Sequence, residues 1–173
     1  MLLWLKGLIS LLAAVIALSV LVDSDWEVQH RVDIDASPDI VWQLLIDLPG
    51  YAQWNRYSPS VEGNLAVGEV VWVEAHLDNE VRRVQNYVLS IEPQRELCWG
   101  SADWYGFLAN GIRCRWLSKT AGGGTELIHH EVMQGPLAWL IEYLYRPRIE
   151  RGLALVDNSL ATQAEKIAAQ SRP

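Results

Sequence analysis

The 173-residue chain has little of what staples small folds together. It holds two cysteines, too few for a disulfide scaffold or a Cys-rich zinc module. It has one phenylalanine and no run of Lys or Arg. With 14 Lys+Arg against 21 Asp+Glu the net charge is −7, which argues against nucleic acid as a partner. Gly122-Gly123-Gly124 lacks the following Lys-Ser/Thr and helix of a phosphate loop, and neither a nucleophile elbow nor a dinucleotide fingerprint occurs, so no cofactor is implied. What is present is apolar. Half of the residues are hydrophobic and 20% are charged, too apolar a balance for a disordered chain, and nine of the residues are tryptophan.

No acid occurs before Asp23, and from Leu2 to Val22 only Lys6, Gly7, Ser10 and Ser19 are not strongly apolar. As a helix this stretch would be roughly 31 Å long, matching a bilayer core of about 30 Å. A cleaved signal peptide could use Ala17 and Ser19, but the apolar run continues through Val20, Leu21 and Val22. A buried core helix would have to show water a polar face that the segment lacks. A transmembrane signal anchor over residues 1–22 is the expectation, with residues 2–22 partnered by the bilayer. Lys6 precedes the span and Asp23, Asp25 and Glu27 follow it, which places the rest of a single-pass protein on the non-cytoplasmic side. Trp4 and Trp26 flank the span where an interfacial aromatic belt would lie. Without Lys6 the remainder carries 13 Lys+Arg against 21 Asp+Glu, a net charge of −8.

Beyond the linker, Glu27–Asp35 alternates, with Val28, His30, Val32 and Ile34 on one side. Ser37-Pro38-Asp39 is a helix start, and Ile40, Val41, Leu44, Leu45 and Leu48 follow at helical spacing up to Pro49-Gly50. Tyr51–Asn55 reads as a short second helical turn. Strand-like runs follow at 61–65, 70–77, 81–91, 96–102, 108–118 and 125–133, with turn signals at Asp78-Asn79 and Gly122–Gly124, and imply an antiparallel meander. Helical periodicity returns after Gly135-Pro136. Pro147 is expected to interrupt it, and the stripe Ile149, Leu153, Val156, Leu160, Ala164, Ile167 marks a long amphipathic helix with Asp157 off the stripe.

Several short segments, in order and spacing, resemble the START-like superfamily of polyketide cyclases/dehydrases and lipid-transfer domains. They are Val32–Trp42, Tyr51-Ala-Gln-Trp54-Asn55, Glu62-Gly63 with Val67-Gly68, Glu92–Trp99, Gly123–Leu127, and Glu131 with Gly135. Arg56 stands where that family often has Pro. The resemblance implies an α+β helix-grip fold, a curved antiparallel sheet wrapped around the C-terminal helix with an apolar cavity between them. The expected organisation is an anchor over 1–22, a linker over 23–27, a helix-grip domain over 28–168 and a tail over 169–173.

Strand alternation names the expected cavity walls. Val71, Val73, Ala75 and Leu77 face in, with Trp72, Glu74 and His76 out; Tyr87, Leu89 and Ile91 face in; so do Leu97 and Trp99. Ile112, Cys114 and Trp116 face in, leaving Arg113 and Arg115 outside. The side of 127–133 is left open, because Leu127, His129, Glu131 and Met133 are no more apolar than Ile128, His130 and Val132. From the helix come Leu153, Val156 and Gly152, the glycine either leaving room for a ligand or permitting close contact with the sheet. His129 and Glu131, sharing one strand face, are candidate acid/base groups with Tyr87, and a rim ion pair is the ordinary alternative. His76 would be needed to complete a metal site, and nothing forces that convergence, so no metal is expected. Asp103 and Tyr105 are loop candidates at the cavity mouth. Cys98 and Cys114, on opposite faces by this phasing, are expected to be free thiols. The expected function is a membrane-anchored binding or transport module for a lipid or other small hydrophobic molecule. The alternatives are a cyclase/dehydrase-like enzyme using the same cavity and a partner-binding domain whose cavity is incidental.

Overall fold

A computed structural model describes residues 4–7, 9–10, 13–14, 24–77, 80–102 and 106–171. Most of the expected span at 2–22, the Asp78-Asn79 turn, and Asp103, Trp104 and Tyr105 lie outside the described residues, as does the side chain of Leu77. No helix among the described residues is long and apolar enough to cross a membrane.

The chain folds in the order β1 (Trp26–Ile34), α1 (Pro38–Ile46), a 3-10 turn (Leu48–Gly50), α2 (Tyr51–Trp54), β2 (Ser60–Gly63), β3 (Val70–Leu77), β4 (Glu80–Glu92), β5 (Glu96–Ser101), β6 (Asn110–Lys119), β7 (Thr125–Gln134) and α3 (Ala138–Ser171). The seven strands form one curved antiparallel sheet ordered β1-β7-β6-β5-β4-β3-β2. Strand β1 pairs with β7, so α1 and α2 carry the chain from one sheet edge to the other. Pro38 occupies the first turn of α1, where its missing N–H is not needed, and Asp39 meets the positive end of the helix. Ser37 stands at the N-cap position with an extended backbone, although its hydroxyl makes no cap bond.

Helix α3 lies against the sheet and does not break at Pro147. Proline removes one hydrogen bond, to the carbonyl four residues earlier, at Tyr143. Pro147 and Tyr143 are both exposed, so water can take that carbonyl. The turns on either side are held by buried Ala138 and Ile149. The core is split along α3. Leu153 belongs to a cluster with Trp26, Val28, Met133, Ala138 and Ile149, whereas Val156 and Leu160 belong to the larger cluster with Trp42, Tyr51, Trp54 and Leu97. Trp26 is thus a core residue rather than part of an interfacial belt, and its indole Nε1 donates to the Ala138 carbonyl at 2.8 Å.

Two strands run in the opposite phase to the expected one. In β4, Asn86 and Val88 are buried while Tyr87 and Leu89 are exposed on the outer face. A bulge between Val88 and Ser90 then resets the parity and returns Ile91 to the core. In β6, Arg113 and Arg115 point inward, opposite Trp99 and Leu97 of β5. Ile112, Cys114 and Trp116 consequently face outward, where Trp116 donates to Glu96 and stacks on His130. The same shift sets Cys114 directly beside Cys98 on the outer face. The two are joined in a disulfide with Cα atoms 4.1 Å apart, which overturns the expectation of free thiols. Closing a loop of this length, a separation of 16 residues, restricts the unfolded chain by an amount worth about 3 kcal/mol. Non-reducing peptide mapping is expected to recover a Cys98–Cys114 cross-link. The double variant Cys98→Ser/Cys114→Ser is expected to unfold at lower denaturant, and an unchanged midpoint would show that the cross-link contributes nothing.

Candidate functional site

Strand β7 presents Thr125, Leu127, His129, Glu131 and Met133 to the interior, settling the side that the sequence leaves open. Opposite them on α3 stands Asp157, fully buried. Its Oδ1 lies 2.8 Å from Nδ1 of His129, and its Oδ2 lies 2.8 Å from Nδ1 of His30 on β1. An ionised carboxylate only accepts, so both imidazoles carry their proton on Nδ1. This leaves Nε2 of neutral His129 as an acceptor, buried and without a partner among the described residues. Arg115, directly paired with His129 across β6 and β7, has Nε and Nη1 buried with no hydrogen-bond partner among the described residues, and its guanidinium lies over the Trp99 ring at 4.7 Å.

Burial pushes His129 from its ordinary 6.5 down to about 4, the Arg115 charge adds to this, and Asp157 opposes it. Burial acts to raise the carboxyl of Asp157, but the imidazole of His129, the Arg115 charge and the His30 hydrogen bond outweigh it and hold the group below its usual range. Next along β6 and β7, Arg113 Nε donates to Glu131 Oε2 at 2.8 Å and a second guanidinium nitrogen makes a closer bond to the same oxygen. Burial works against the Arg113 charge, but Glu131 and Tyr57 more than offset it and raise its pKa. The Tyr57 phenol, also raised by burial, stays protonated beside this pair.

Between the sheet and the first half of α3 lies a cavity of about 260 Å³. Its walls are mainly apolar and include Val73, Ala75, Val84, Trp99, Met133 and Ile141; its polar groups include Tyr57, Asn86, Arg113 and Glu131. Tyr57 bounds the cavity on the side toward the second half of α3, and Gly152 is what admits it there. A Cβ on Gly152 would lie 2.4 Å from the Tyr57 ring. The glycine therefore serves close packing.

Of the residues expected at the cavity, Val73, Ala75 and Trp99 line it. Leu97, Leu153 and Val156 are buried in the core beyond it. Tyr87, Leu89, Ile112 and Trp116 lie on the other side of the sheet, as their strand phases require. Glu131 reaches the cavity wall, His129 is sealed in the Asp157 network, and Tyr87 is remote from both. His76 is on the outer face, bonded to Glu74. Among the described residues no three His, Cys, Asp or Glu side chains converge as a metal site. The sequence reading missed Asp157, His30, Arg113, Arg115 and Tyr57. A signal for Asp157 was present: it stands four residues after Leu153 and three before Leu160, on the buried stripe itself.

Two expectations follow. Gly152→Ala forces a methyl group into the Tyr57 ring and should destabilise the fold by about 1–3 kcal/mol, as overpacking does; unchanged stability in urea unfolding would mean that Tyr57 moves freely. The depressed pKa of His129 makes stability depend on pH. The unfolded chain takes up the proton near 6.5 and the folded chain only near 4, so this contribution is intact above 6.5 and is lost as pH falls toward 4. The loss amounts to roughly 3 kcal/mol. His129→Asn, which keeps a donor for Asp157 and cannot titrate, should flatten the urea-unfolding slope between pH 6.5 and 4; a slope equal to that of the parent would refute this assignment.

Comparison with known proteins agrees with this architecture. No curated protein matches the chain in sequence. Among solved structures, the Zhui aromatase/cyclase from Streptomyces sp. R1128 aligns with a TM-score of 0.69 at 18% identity, covering 83% of this chain and 96% of that one. The ginseng major latex-like protein 151 from Panax ginseng aligns at 0.63 with 11% identity, covering 81% and 97%. Norcoclaurine synthase from Thalictrum flavum aligns at 0.61 with 8% identity, covering 80% and 92%. At such identities these likenesses establish the helix-grip fold alone. The profile of one family matches residues 25–160, most of the chain, and by that match the protein belongs to the polyketide cyclase / dehydrase and lipid transport family.

Proposed function

We propose that the domain is a binding module for a small, largely apolar molecule with one polar end. The cavity between the sheet and α3 carries this reading: its wall is mainly apolar, and Tyr57, Arg113 and Glu131 meet at one part of it. Burial of apolar ligand surface supplies affinity at roughly 25 cal/mol per Å², and the Tyr57 hydroxyl with the Arg113 guanidinium orients a carbonyl or carboxylate. The volume lies just below the range of about 300–1,000 Å³ usual for ligand pockets, which favours a single ring system or a short acyl chain over a two-chain lipid.

The apolar run at 2–22 supports attachment of the module to a membrane as a single-pass anchor. The disulfide supports an oxidising, non-cytoplasmic location for the domain, the side that Lys6 and the following acids also favour. Cyclase or dehydrase chemistry is a second reading, favoured by the same convergence of Tyr57, Arg113 and Glu131 at the cavity wall. Against it, Tyr57 stays protonated and Glu131 is committed to Arg113, so these groups are suited to orienting a ligand more than to moving its protons.

Val84→Trp fills the cavity from β4. Native mass spectrometry of the gently purified full chain is expected to show a retained small-molecule adduct, unaltered on prolonged incubation, that the Val84→Trp protein lacks. An adduct of equal occupancy in the variant would exclude this cavity as the binding site. Chemical conversion of the adduct would favour the enzymatic reading.

A further inference from the structure

The antiparallel order gathers several connections at one end of the sheet. The start of β1, the end of β3 and the start of β4, the end of β5 and the start of β6, and the passage from β7 into α3 all lie there. The cavity lies at this end too, bounded by Arg82 of β4, Ala109 of the β5–β6 loop and Ile141 and Tyr145 of α3. Arg82 donates to the Tyr145 hydroxyl, joining the β4 side of the rim to the helix.

The chain enters the fold at the same place. Ser24 Oγ donates to the Gly135 carbonyl at 2.8 Å, and Asp25 Oδ1 accepts from the Gly135 N–H at 3.0 Å. Gly135 has a φ of +118°, and a Cβ there would lie 2.8 Å from the Leu108 carbonyl oxygen. That close passage fixes the β5–β6 loop against the start of α3, where the Leu137 N–H donates to the same oxygen at 2.8 Å. Ser24, two residues after the apolar segment 2–22 in sequence, therefore stands beside the rim of the cavity.

The rim segments carry exposed apolar side chains. Phe107 is 68% exposed on the loop and Val81 is exposed near the β3–β4 link. On α3, Ala138, Ile141, Tyr145 and Ile149 turn inward, leaving Trp139, Leu140, Tyr143, Leu144 and Pro147 on the opposite face; Tyr143 is 82% exposed. Further along, the outward face of α3 becomes predominantly polar, with Glu150, Arg151, Asn158, Thr162, Glu165 and Lys166. An apolar patch concentrated at one end of a helix, with Trp and Tyr in it, is the composition of a surface at a membrane–water boundary.

We propose that this end of the domain docks on the lipid bilayer, with Phe107, Trp139, Tyr143 and Leu144 entering the headgroup region so that the cavity opens toward the membrane. The proposal rests on the membrane-anchor reading of residues 2–22. The anchor holds the patch at the bilayer, and the patch sets the orientation of the domain there. The domain is acidic and the charges on this part of α3 pair internally, Arg146 with Glu142 and Glu150. Docking is therefore expected on neutral lipid, without dependence on anionic headgroups or low salt.

The test uses the full chain reconstituted in phosphatidylcholine vesicles containing a phosphatidylcholine with a diazirine near the glycerol backbone. After photolysis, adducts are mapped by peptide mass spectrometry. The expected result is labelling within 2–22 and, separately, in peptides containing Phe107 and residues 137–147. In a Phe107→Ser/Trp139→Ser/Tyr143→Ser/Leu144→Ser protein the domain adducts should disappear while those in 2–22 remain; thermal unfolding of this variant, together with the single variant Tyr143→Ser, checks that the fold survives. Labelling confined to 2–22 in the parent protein would overturn the docking surface and leave the anchor standing. Absence of labelling in 2–22 would overturn the anchor and the docking with it. Cross-links between two copies through 137–147, without lipid adducts there, would assign the patch to self-association and overturn the proposal.

Discussion

The carboxylate of Asp157 is buried between helix and sheet, and the interior around it is arranged to keep it ionised. An isolated buried charge would cost several kcal/mol, so the helix can lie where it does only because β1 and β7 each offer an imidazole N–H and β6 offers the Arg115 charge. Arg115 and Asp157, with Arg113 and Glu131 beside them, leave the sheet interior with two positive and two negative groups. This polar layer lies where the two apolar clusters meet along α3, and hydrogen bonds have directions that apolar contacts lack. The layer thus fixes the register of the helix against the sheet more narrowly than leucine packing would.

The inward arginines also set the outer face. Strand parity is all-or-none, so turning Arg113 and Arg115 in turns Cys114 out, and it meets Cys98 on the neighbouring strand. The disulfide and the buried guanidinium groups are two consequences of one phase choice. The same choice gives Trp99 a cation above its ring and moves Trp116 to the outer surface. Tyr57 and Gly152 then divide the interior. The ring fills the space above the glycine and bounds the cavity.

Period-two alternation with a polar outer side was sufficient for β1 and β3, and helical spacing behind Ser37-Pro38 was sufficient for α1. The same reasoning failed in β6 for a physical reason. Assigning the apolar side of a strand to the core assumes that burying charge is always worse than burying Ile and Trp. Arg113 escapes that cost through Glu131, 18 residues away in sequence, and Asp157, 42 residues from Arg115, offsets part of the cost there, contributions that local alternation cannot register. In β4 a single bulge at Leu89 reversed the parity halfway, which alternation is equally unable to anticipate. At Pro147 the local rule predicted a break, but packing on both sides of the proline held the helix together.

By itself the sequence determined what depends on neighbours along the chain: the strand and helix segments, their antiparallel order, the α+β class and the concentration of apolar residues in 1–22. Tertiary structure alone decided which face of β4 and β6 is the inside, that Cys98 and Cys114 meet, that Asp157 is held by His30 and His129, and where the cavity ends. These are choices between nearly equal local alternatives. They were settled by the pairing of charges and hydrogen-bonding groups that only the assembled sheet and helix bring within reach of one another.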